Sequence, residues 1–96
     1  MTAQTEFTIT DCTAEDLTST DLSNEAADLD AVGTPYECGR VTFYDADGNR
    51  HAEGGNVLFV PSARRGGVAW GSDASWTDAN DINDVVDRFL TDRMVA

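Results

Sequence analysis

The chain has 96 residues, of which 18 are acidic and 6 are basic, so its formal net charge is −12. This length predicts one domain spanning residues 1–96, with a modest core and no deep cofactor cavity. The charge opposes binding of bare nucleic acid or of an anionic membrane surface, and no apolar run is long enough to cross a bilayer.

The acidic excess is unevenly distributed along the chain. Residues 1–37 have a net charge of −9, residues 38–72 of +1 and residues 73–96 of −4. All six basic residues are arginines, and none is lysine. The middle third therefore differs in charge from both flanks.

The N-terminal part predicts a strand followed by helical structure. Glu6–Cys12 alternates apolar residues with threonines, which is typical of a half-buried strand. Thr13 can cap a helix, and Asp16 stands three residues later, close to a capping box. The apolar stripe that follows is imperfect and consists of Leu17, Leu22, Ala26, Leu29 and Val32. Poor helix formers at 18–20 fit one broken helix or two short ones, the second beginning at Ser23.

The middle of the chain predicts an antiparallel meander of three strands, at Val41–Tyr44, Asn56–Val60 and Val68–Trp70. Residues 45–49 predict a tight turn with a positive backbone angle at Gly48. This turn is similar to the start of an EF-hand calcium loop, but the sixth and twelfth positions hold Arg50 and Val57 instead of glycine and glutamate. Residues 62–67, with Gly66 and Gly67, predict a flexible hairpin loop.

The C-terminal segment predicts an amphipathic helix that Thr77 or Asp78 caps. Apolar residues recur there at three- and four-residue spacing, at Ile82, Val85, Val86, Phe89 and Leu90. This stripe needs a sheet to cover it. We therefore predict an α+β fold, a two-layer sandwich in the order β-α-β-β-β-α, with a mostly antiparallel sheet and the helices on one face.

Cys12, Cys38 and His51 are the candidates for thiol or metal chemistry. The N-terminus lacks the charge and apolar stretch of a signal peptide, so we expect a cytoplasmic protein with free thiols, although a disulfide is compatible with the sequence. The three residues also offer metal ligands or a Cys–His nucleophilic pair, but their spacing matches no zinc pattern. We predict no catalytic residue, no cofactor and no metal.

Two aromatic residues and one basic pair are candidates for binding. Trp70 and Trp76 flank a short polar segment, and core packing is expected for one of them. The other, or Tyr36, offers an exposed anchor for a partner, as tryptophan often does at binding hot spots. Arg64 and Arg65 form the one local positive cluster of this acidic chain.

Acidic residues follow both predicted helical regions at helical spacing. The apolar stripe of the last helix covers about 140° of its wheel, which leaves the aspartates on the remaining side. Aspartates three residues apart rise about 4.5 Å along a helix, and phosphates rise about 3.4 Å per nucleotide along a duplex. We predict a partner-binding surface made of Glu15, Asp16, Asp21, Glu25, Asp28, Asp30, Asp78, Asp81, Asp84 and Asp87, with Trp76 as an anchor.

In size, charge and layout the chain resembles small phage- or plasmid-encoded inhibitors that imitate DNA, the acidic anti-CRISPR and anti-restriction proteins. The acidic rows at residues 15–30 and 78–92 support the resemblance. It implies a non-enzymatic protein in the host cytoplasm that occupies the nucleic-acid groove of a CRISPR effector or restriction enzyme. The alternatives are a halophilic cytosolic domain whose acidity serves solubility, and a small enzyme or metal protein.

Overall fold

The computed structural model describes residues 6–18, 20–44, 48–49, 54–71 and 73–94. Within these residues the chain forms a five-stranded antiparallel sheet, one 3-10 helix and two α-helices. In chain order the elements are β1 (Glu6–Asp11), the 3-10 helix (Ala14–Asp16), α1 (Thr20–Val32), β2 (Glu37–Tyr44), β3 (Gly55–Val60), β4 (Arg65–Trp70), β5 (Asp73–Asp78) and α2 (Ile82–Met94). The strands lie side by side in the same order as in the chain. The predicted α+β class and antiparallel sheet are confirmed.

The two α-helices lie on opposite faces of the sheet. Val57 of β3 packs with Val85 of α2 in one buried cluster, whereas Leu58 packs with Leu22 of α1 in the second. Successive side chains of a strand point to opposite faces, and all six residues of β3 are buried. The prediction of two layers with both helices on one face is therefore wrong, because the molecule has three layers. A nearly continuous apolar run such as Val57–Val60 is typical of a strand that is covered on both faces.

Of the two alternatives for the N-terminal helical region, the structure has two separate helices, the 3-10 helix and α1. Asp16 closes the first turn, since its Oδ2 accepts hydrogen bonds from the Thr13 backbone N–H at 2.9 Å and the Thr13 hydroxyl at 3.2 Å. The second helix begins at Thr20 and not at Ser23. Its predicted stripe ends early, because Val32 is 75% exposed.

The buried amide of Asn56 explains why the chain breaks between the 3-10 helix and α1. Its Oδ1 accepts a hydrogen bond from the Thr18 hydroxyl at 2.9 Å, and its Nδ2 donates to the Asp16 carbonyl oxygen at 3.4 Å. Asn56 is 4% exposed, so its amide needs these partners. The two bonds attach the linker to the sheet and favour a break over a continuous helix.

Strand β5 replaces the polar segment predicted after Trp70. It pairs with β4 along its whole length, from Asp73 opposite Trp70 to Asp78 opposite Arg65. Neither Thr77 nor Asp78 caps α2, because both belong to this strand. The cap is Asp81, whose Oδ1 accepts a hydrogen bond from the Asp84 backbone N–H at 2.7 Å.

Gly66 and Gly67 belong to β4 and not to a flexible loop, so that prediction is wrong. The turn occupies residues 61–64, and Arg64 has a φ of 51°. A Cβ on Gly66 would lie 2.6 Å from Val85 Cγ2, and a Cβ on Gly67 would lie 2.7 Å from the Trp76 ring. The two glycines therefore let α2 and Trp76 approach the sheet from opposite sides.

The turn predicted at residues 45–49 is described only at residues 48–49. Gly48 has a φ of +83°, which confirms the positive backbone angle predicted for it. Asp45, Asp47 and Arg50, which were compared with a calcium loop, lie outside the described residues.

Candidate functional site

The predicted binding residues fall into two groups on opposite sides of the molecule. The first acidic layer lies on the 3-10 helix and α1 and consists of Glu15, Asp16, Asp21, Glu25, Asp28 and Asp30. The second acidic layer lies at the end of β5 and on the N-terminal half of α2 and consists of Asp78, Asp81, Asp84 and Asp87. The sheet separates α1 from α2. The continuous acidic surface that packing on one face would produce is therefore not formed.

Half of the first acidic layer has hydrogen-bond or ion-pair partners. Glu25 Oε1 lies 3.9 Å from Arg65 Nη1, and Asp16 Oδ1 lies 3.9 Å from Arg40 Nη2. Hydrogen bonds from the Thr13 backbone and hydroxyl, assisted by Arg40, lower the pKa of the Asp16 carboxyl.

Asp30 has a neutral partner. Its Oδ2 accepts a hydrogen bond from the Tyr36 hydroxyl at 3.1 Å. Burial, this bond and the nearby carboxylate raise the pKa of Tyr36. Tyr36 is half-buried against α1 and its hydroxyl is engaged, so it is not the freely exposed anchor that was one alternative.

The remaining carboxylates of the first layer face solvent. Glu15, Asp21 and Asp28 are exposed, and no residue within the described part of the chain forms an ion pair or hydrogen bond with their side chains. Leu22 and Ala26 on the other side of α1 are buried against the sheet. Burial of that side therefore holds Asp21 and Asp28 towards solvent.

Two aspartates of the second acidic layer stabilise the start of α2. Asp81 caps the helix, and Asp84 Oδ2 accepts hydrogen bonds from the Asn80 backbone N–H at 3.0 Å and from Arg88 Nε at 3.1 Å. These bonds satisfy backbone donors at the helix N-terminus, where negative charge is also favourable. Asp78 and Asp87 are exposed, and the described residues offer no partner to their carboxylates.

The bonds to Asp84 predict a pH-dependent contribution to stability. Its pKa is lowered from 3.8 by the Asn80 backbone bond first and by Arg88 second. The unfolded chain therefore takes up this proton first as the pH falls. The contribution is present above pH 3.8 and is lost as the pH falls through the lower folded-state pKa.

As the pH decreases from about 6 to about 2.5, we expect the melting temperature of Asp84→Asn to fall by less than that of the wild type. Asp87→Asn is the matched control, because Asp87 is exposed on the same helix, and it should retain the wild-type profile. Thermal melts of the three proteins measure the difference. Identical acid profiles for Asp84→Asn and the wild type would contradict the assigned bonds.

The two arginines of the β3–β4 hairpin serve opposite faces and do not form one positive cluster. Arg65 lies 4.8 Å from the centre of the Trp76 ring and contacts Glu25 on the α1 side. Arg64 Nη2 donates to Asn80 Oδ1 at 3.0 Å beside α2. A shallow cleft of about 370 Å³ there is also lined by Arg88 and Asp78, so it carries both signs of charge. Both arginines are engaged there, Arg64 with Asn80 and Arg88 with Asp84.

Neither tryptophan is an exposed anchor. Trp76 is half-buried against the α1 side of the sheet, with Gly67 beneath its ring and Arg65 above it. Trp70 lies on the α2 side, where its ring stacks on Phe43 with centroids 4.3 Å apart. Each tryptophan therefore packs on one face of the sheet, and the candidate surface consists of carboxylates alone.

The two cysteines lie close together, near Asp16 of the first acidic layer. Cys12 and Cys38 are free and half-buried, and Cys38 Sγ donates a hydrogen bond to the Cys12 carbonyl oxygen at 3.2 Å. Burial, followed by the neighbouring Cys38, raises the pKa of Cys12 to about 12. His51 lies outside the described residues, so the structure does not test whether it lies near the cysteines. The described residues contain no group of three His, Cys, Asp or Glu arranged to hold a metal.

No protein-family model matches the chain, and neither a curated protein nor a solved structure does. Among the described residues, no helix is long and apolar enough to cross a membrane. The functional argument therefore depends on the geometry and charge of the two acidic layers.

Proposed function

We propose that this chain is a non-enzymatic acidic binding protein that occupies a basic nucleic-acid-binding groove of a partner. It would act as a DNA-mimic inhibitor of the anti-CRISPR or anti-restriction type, in the cytoplasm. The observation that supports this function is the presence of unpaired, exposed carboxylates on both outer layers of an elongated molecule. The Cα extents are 45 × 23 × 20 Å, so the molecule is about twice as long as it is wide.

The spacing on α1 is compatible with a row of phosphates. Asp21 and Asp28 are seven residues apart, which places them on one side of the helix and about 10.5 Å apart along its axis. Three nucleotide steps of one DNA strand span about the same length, roughly 10 Å. Two carboxylates on α1 can therefore occupy phosphate positions without distortion of the helix.

The total charge sets a limit on the likeness to DNA. A duplex of 45 Å, the length of this molecule, carries about 26 phosphate charges, whereas the net charge of the chain is −12. The chain thus has about half the charge density of DNA. Charge accounts for steering and fast association, and the affinity needs further contacts from the polar groups between the acidic residues.

A displacement assay tests the proposal. Immobilised duplex DNA is loaded with basic proteins from the lysate of the source cell or its host, and the pure chain is added at about 0.15 M salt, where the Debye length is about 8 Å. We expect a discrete subset of the bound proteins to be released and to bind the immobilised chain directly. At about 1 M salt, where the Debye length is about 3 Å, the direct binding should be lost.

Polyaspartate at equal total charge is the control for the effect of charge alone. Heparin is the positive control, because it should release the proteins bound to the immobilised DNA. A chain that releases nothing while heparin releases much would contradict DNA mimicry. So would a chain that releases only what polyaspartate releases, because a mimic needs arrangement as well as charge.

A second hypothesis, a halophilic domain whose acidity serves solubility, is supported by the absence of lysine and by acidity on both faces. The two hypotheses differ in their salt requirement. We expect the chain to remain folded in low salt, because β3 is buried on both faces and two apolar clusters hold the helices. Salt changes the stability of this fold mainly by screening the repulsion between exposed carboxylates.

Melting curves followed by circular dichroism should therefore change by less than about 10 °C between about 0.02 M and about 1 M KCl. The melting temperature should rise with the salt concentration, since screening weakens the repulsion between carboxylates. A chain that is unfolded in low salt and folds only near molar salt would support the halophilic hypothesis.

A further inference from the structure

The two cysteines occupy facing positions at one end of the β1–β2 ladder. The register pairs each residue of β1 with one of β2 as far as Asp11 opposite Gly39. Continuing it by one residue places Cys12 opposite Cys38. Facing residues in antiparallel strands have Cα atoms about 4.5 to 5.5 Å apart, which lies within the range that a disulfide requires.

A hydrogen bond shows that the two residues are in contact. Cys38 Sγ donates it to the Cys12 carbonyl oxygen at 3.2 Å. Both cysteines are half-buried and line an open groove of about 700 Å³, together with Asp11, Tyr36 and Glu37. A small disulfide reagent can therefore enter from solvent.

We propose that Cys12 and Cys38 are a reversible modification site that forms an intramolecular disulfide by exchange with a low-molecular-weight disulfide. The bond would join the end of β1 to the start of β2. It would close a loop that contains the 3-10 helix and α1, and therefore the whole first acidic layer. Oxidation would close this loop at its base by a covalent bond, whereas in the reduced protein packing, hydrogen bonds and ion pairs alone hold the layer on the sheet.

The exchange balances without a further reactant. The Cys38 thiolate attacks one sulfur of the reagent, forms a mixed disulfide and expels the first reagent thiol. Cys12 then loses its proton to water and attacks Cys38 Sγ, which expels the second reagent thiol. Two protein thiols are oxidised to one disulfide, and one reagent disulfide is reduced to two thiols.

The order of attack follows from the environment of Cys12. Its raised pKa, about 12, leaves little thiolate at neutral pH, so the first attack falls to Cys38. Burial is the largest cause of that raised pKa, and the neighbouring Cys38 is the next. The contribution of Cys38 is removed once Cys38 is in the mixed disulfide, whereas burial remains, so the second step proceeds through a small thiolate fraction of Cys12.

Cystamine is the probe, because it is cationic and the groove contains Asp11 and Glu37. Treatment of the folded wild type should remove both free thiols, leave no cysteamine attached and lower the mass by two hydrogens. The oxidised protein should melt about 10 °C or more above the reduced protein, and a reductant should reverse the change. Intact mass spectrometry, thiol titration and thermal melts provide the measurements.

Single variants test the order of attack. Cys12→Ser should keep a stable cysteamine adduct on Cys38. Cys38→Ser should react with cystamine at least roughly tenfold more slowly than Cys12→Ser. The double variant has no thiol to oxidise. Its melting temperature therefore measures how much stability is lost when the packing of both cysteines is changed. The wild-type measurements decide the proposal even if a variant fails to fold.

Three results would overturn it. Both thiols could survive in the folded wild type under conditions that oxidise the urea-unfolded chain. The wild type could accumulate two cysteamine adducts or disulfide-linked dimers in place of the internal bond. The oxidised protein could melt at or below the temperature of the reduced protein, which would show that the bond distorts the fold.

Discussion

Replacing Gly66 with alanine is expected to lower the free energy of unfolding by about 2 to 4 kcal/mol, the usual effect of overpacking or slightly more. The added Cβ would lie 2.5 Å from the Leu58 carbonyl oxygen and 2.6 Å from Val85 Cγ2. The first neighbour is backbone of the adjacent strand and the second is a buried side chain of α2. Neither can move without displacing a main element of the fold.

Gly54→Ala is the matched control. Gly54 is exposed just before β3, and its nearest neighbour to an added Cβ is the Val41 carbonyl oxygen at 3.4 Å, an ordinary contact. We expect this variant to change the free energy of unfolding by less than about 0.5 kcal/mol. Urea titration of the two variants and the wild type measures the difference. Equal effects at Gly54 and Gly66 would contradict the close packing of α2 on β4.

A double-mutant cycle identifies the contact. Val85→Ala alone should cost about 2 kcal/mol, because it removes buried methyl groups. It also removes the atoms that an alanine at position 66 would meet on α2. The double variant should therefore be less destabilised than the sum of the single variants, by about 1 kcal/mol. Simple addition would show that the cost arises from the backbone of β3 alone.

The sequence predicts the parts of this fold that have strong apolar patterns. The helical stripe of α2 and the continuous run Val57–Val60 of β3 are such patterns, and both elements lie where they were expected. Strand β5 was missed because it is an edge strand whose pattern contains one large apolar residue, Trp76, between polar neighbours.

The placement of the helices on opposite faces depends on which side of each strand is apolar. The sequence indicates this placement, because Val57 and Leu58 are adjacent and both apolar. Their side chains point to opposite faces of the sheet, so both faces must be covered. The pair Gly66–Gly67 held a similar signal. Adjacent glycines within a strand indicate close approach of other elements from both sides, here Val85 and Trp76.

The acidic residues were identified from the sequence, but their separate roles were not. A helical wheel shows which side of a helix faces solvent, and it does not show which carboxylates accept hydrogen bonds. The structure separates Asp81 and Asp84, which hold the start of α2, from Asp21 and Asp28, which have no partner among the described residues. A binding test that reverses charge at Asp81 and Asp84 would therefore disturb the fold as well as the surface.

Neutralising exposed carboxylates on the two acidic layers is expected to weaken displacement of DNA-bound proteins by about tenfold for each layer, within the range of electrostatic steering. The variants are Asp21→Asn with Asp28→Asn on the first layer, and Asp78→Asn with Asp87→Asn on the second. All four side chains are exposed, and no described residue pairs with them. Their replacement should change the free energy of unfolding by less than about 0.5 kcal/mol each.

A control with the same charge change uses two carboxylates that belong to neither layer. Asp11→Asn with Glu37→Gln removes two exposed carboxylates near the cysteines, at the end of the β1–β2 ladder. All three double variants change the net charge from −12 to −10. If charge acts through its position, the control should weaken displacement by less than about twofold, because its carboxylates lie outside the surfaces that meet the groove.

Comparing the loss of displacement in the two layer variants shows whether the partner's groove contacts one layer or both. A groove that surrounds a duplex touches both of its flanks, so it should contact α1 and α2 together. We therefore expect both layer variants to weaken displacement and a variant with all four substitutions to weaken it by about a hundredfold, because distant sites add. Association rates should account for most of the loss, and the salt dependence should become shallower. Equal losses in all three double variants would mean that total charge acts without regard to position, which is the behaviour of a solubility device and not of a DNA mimic.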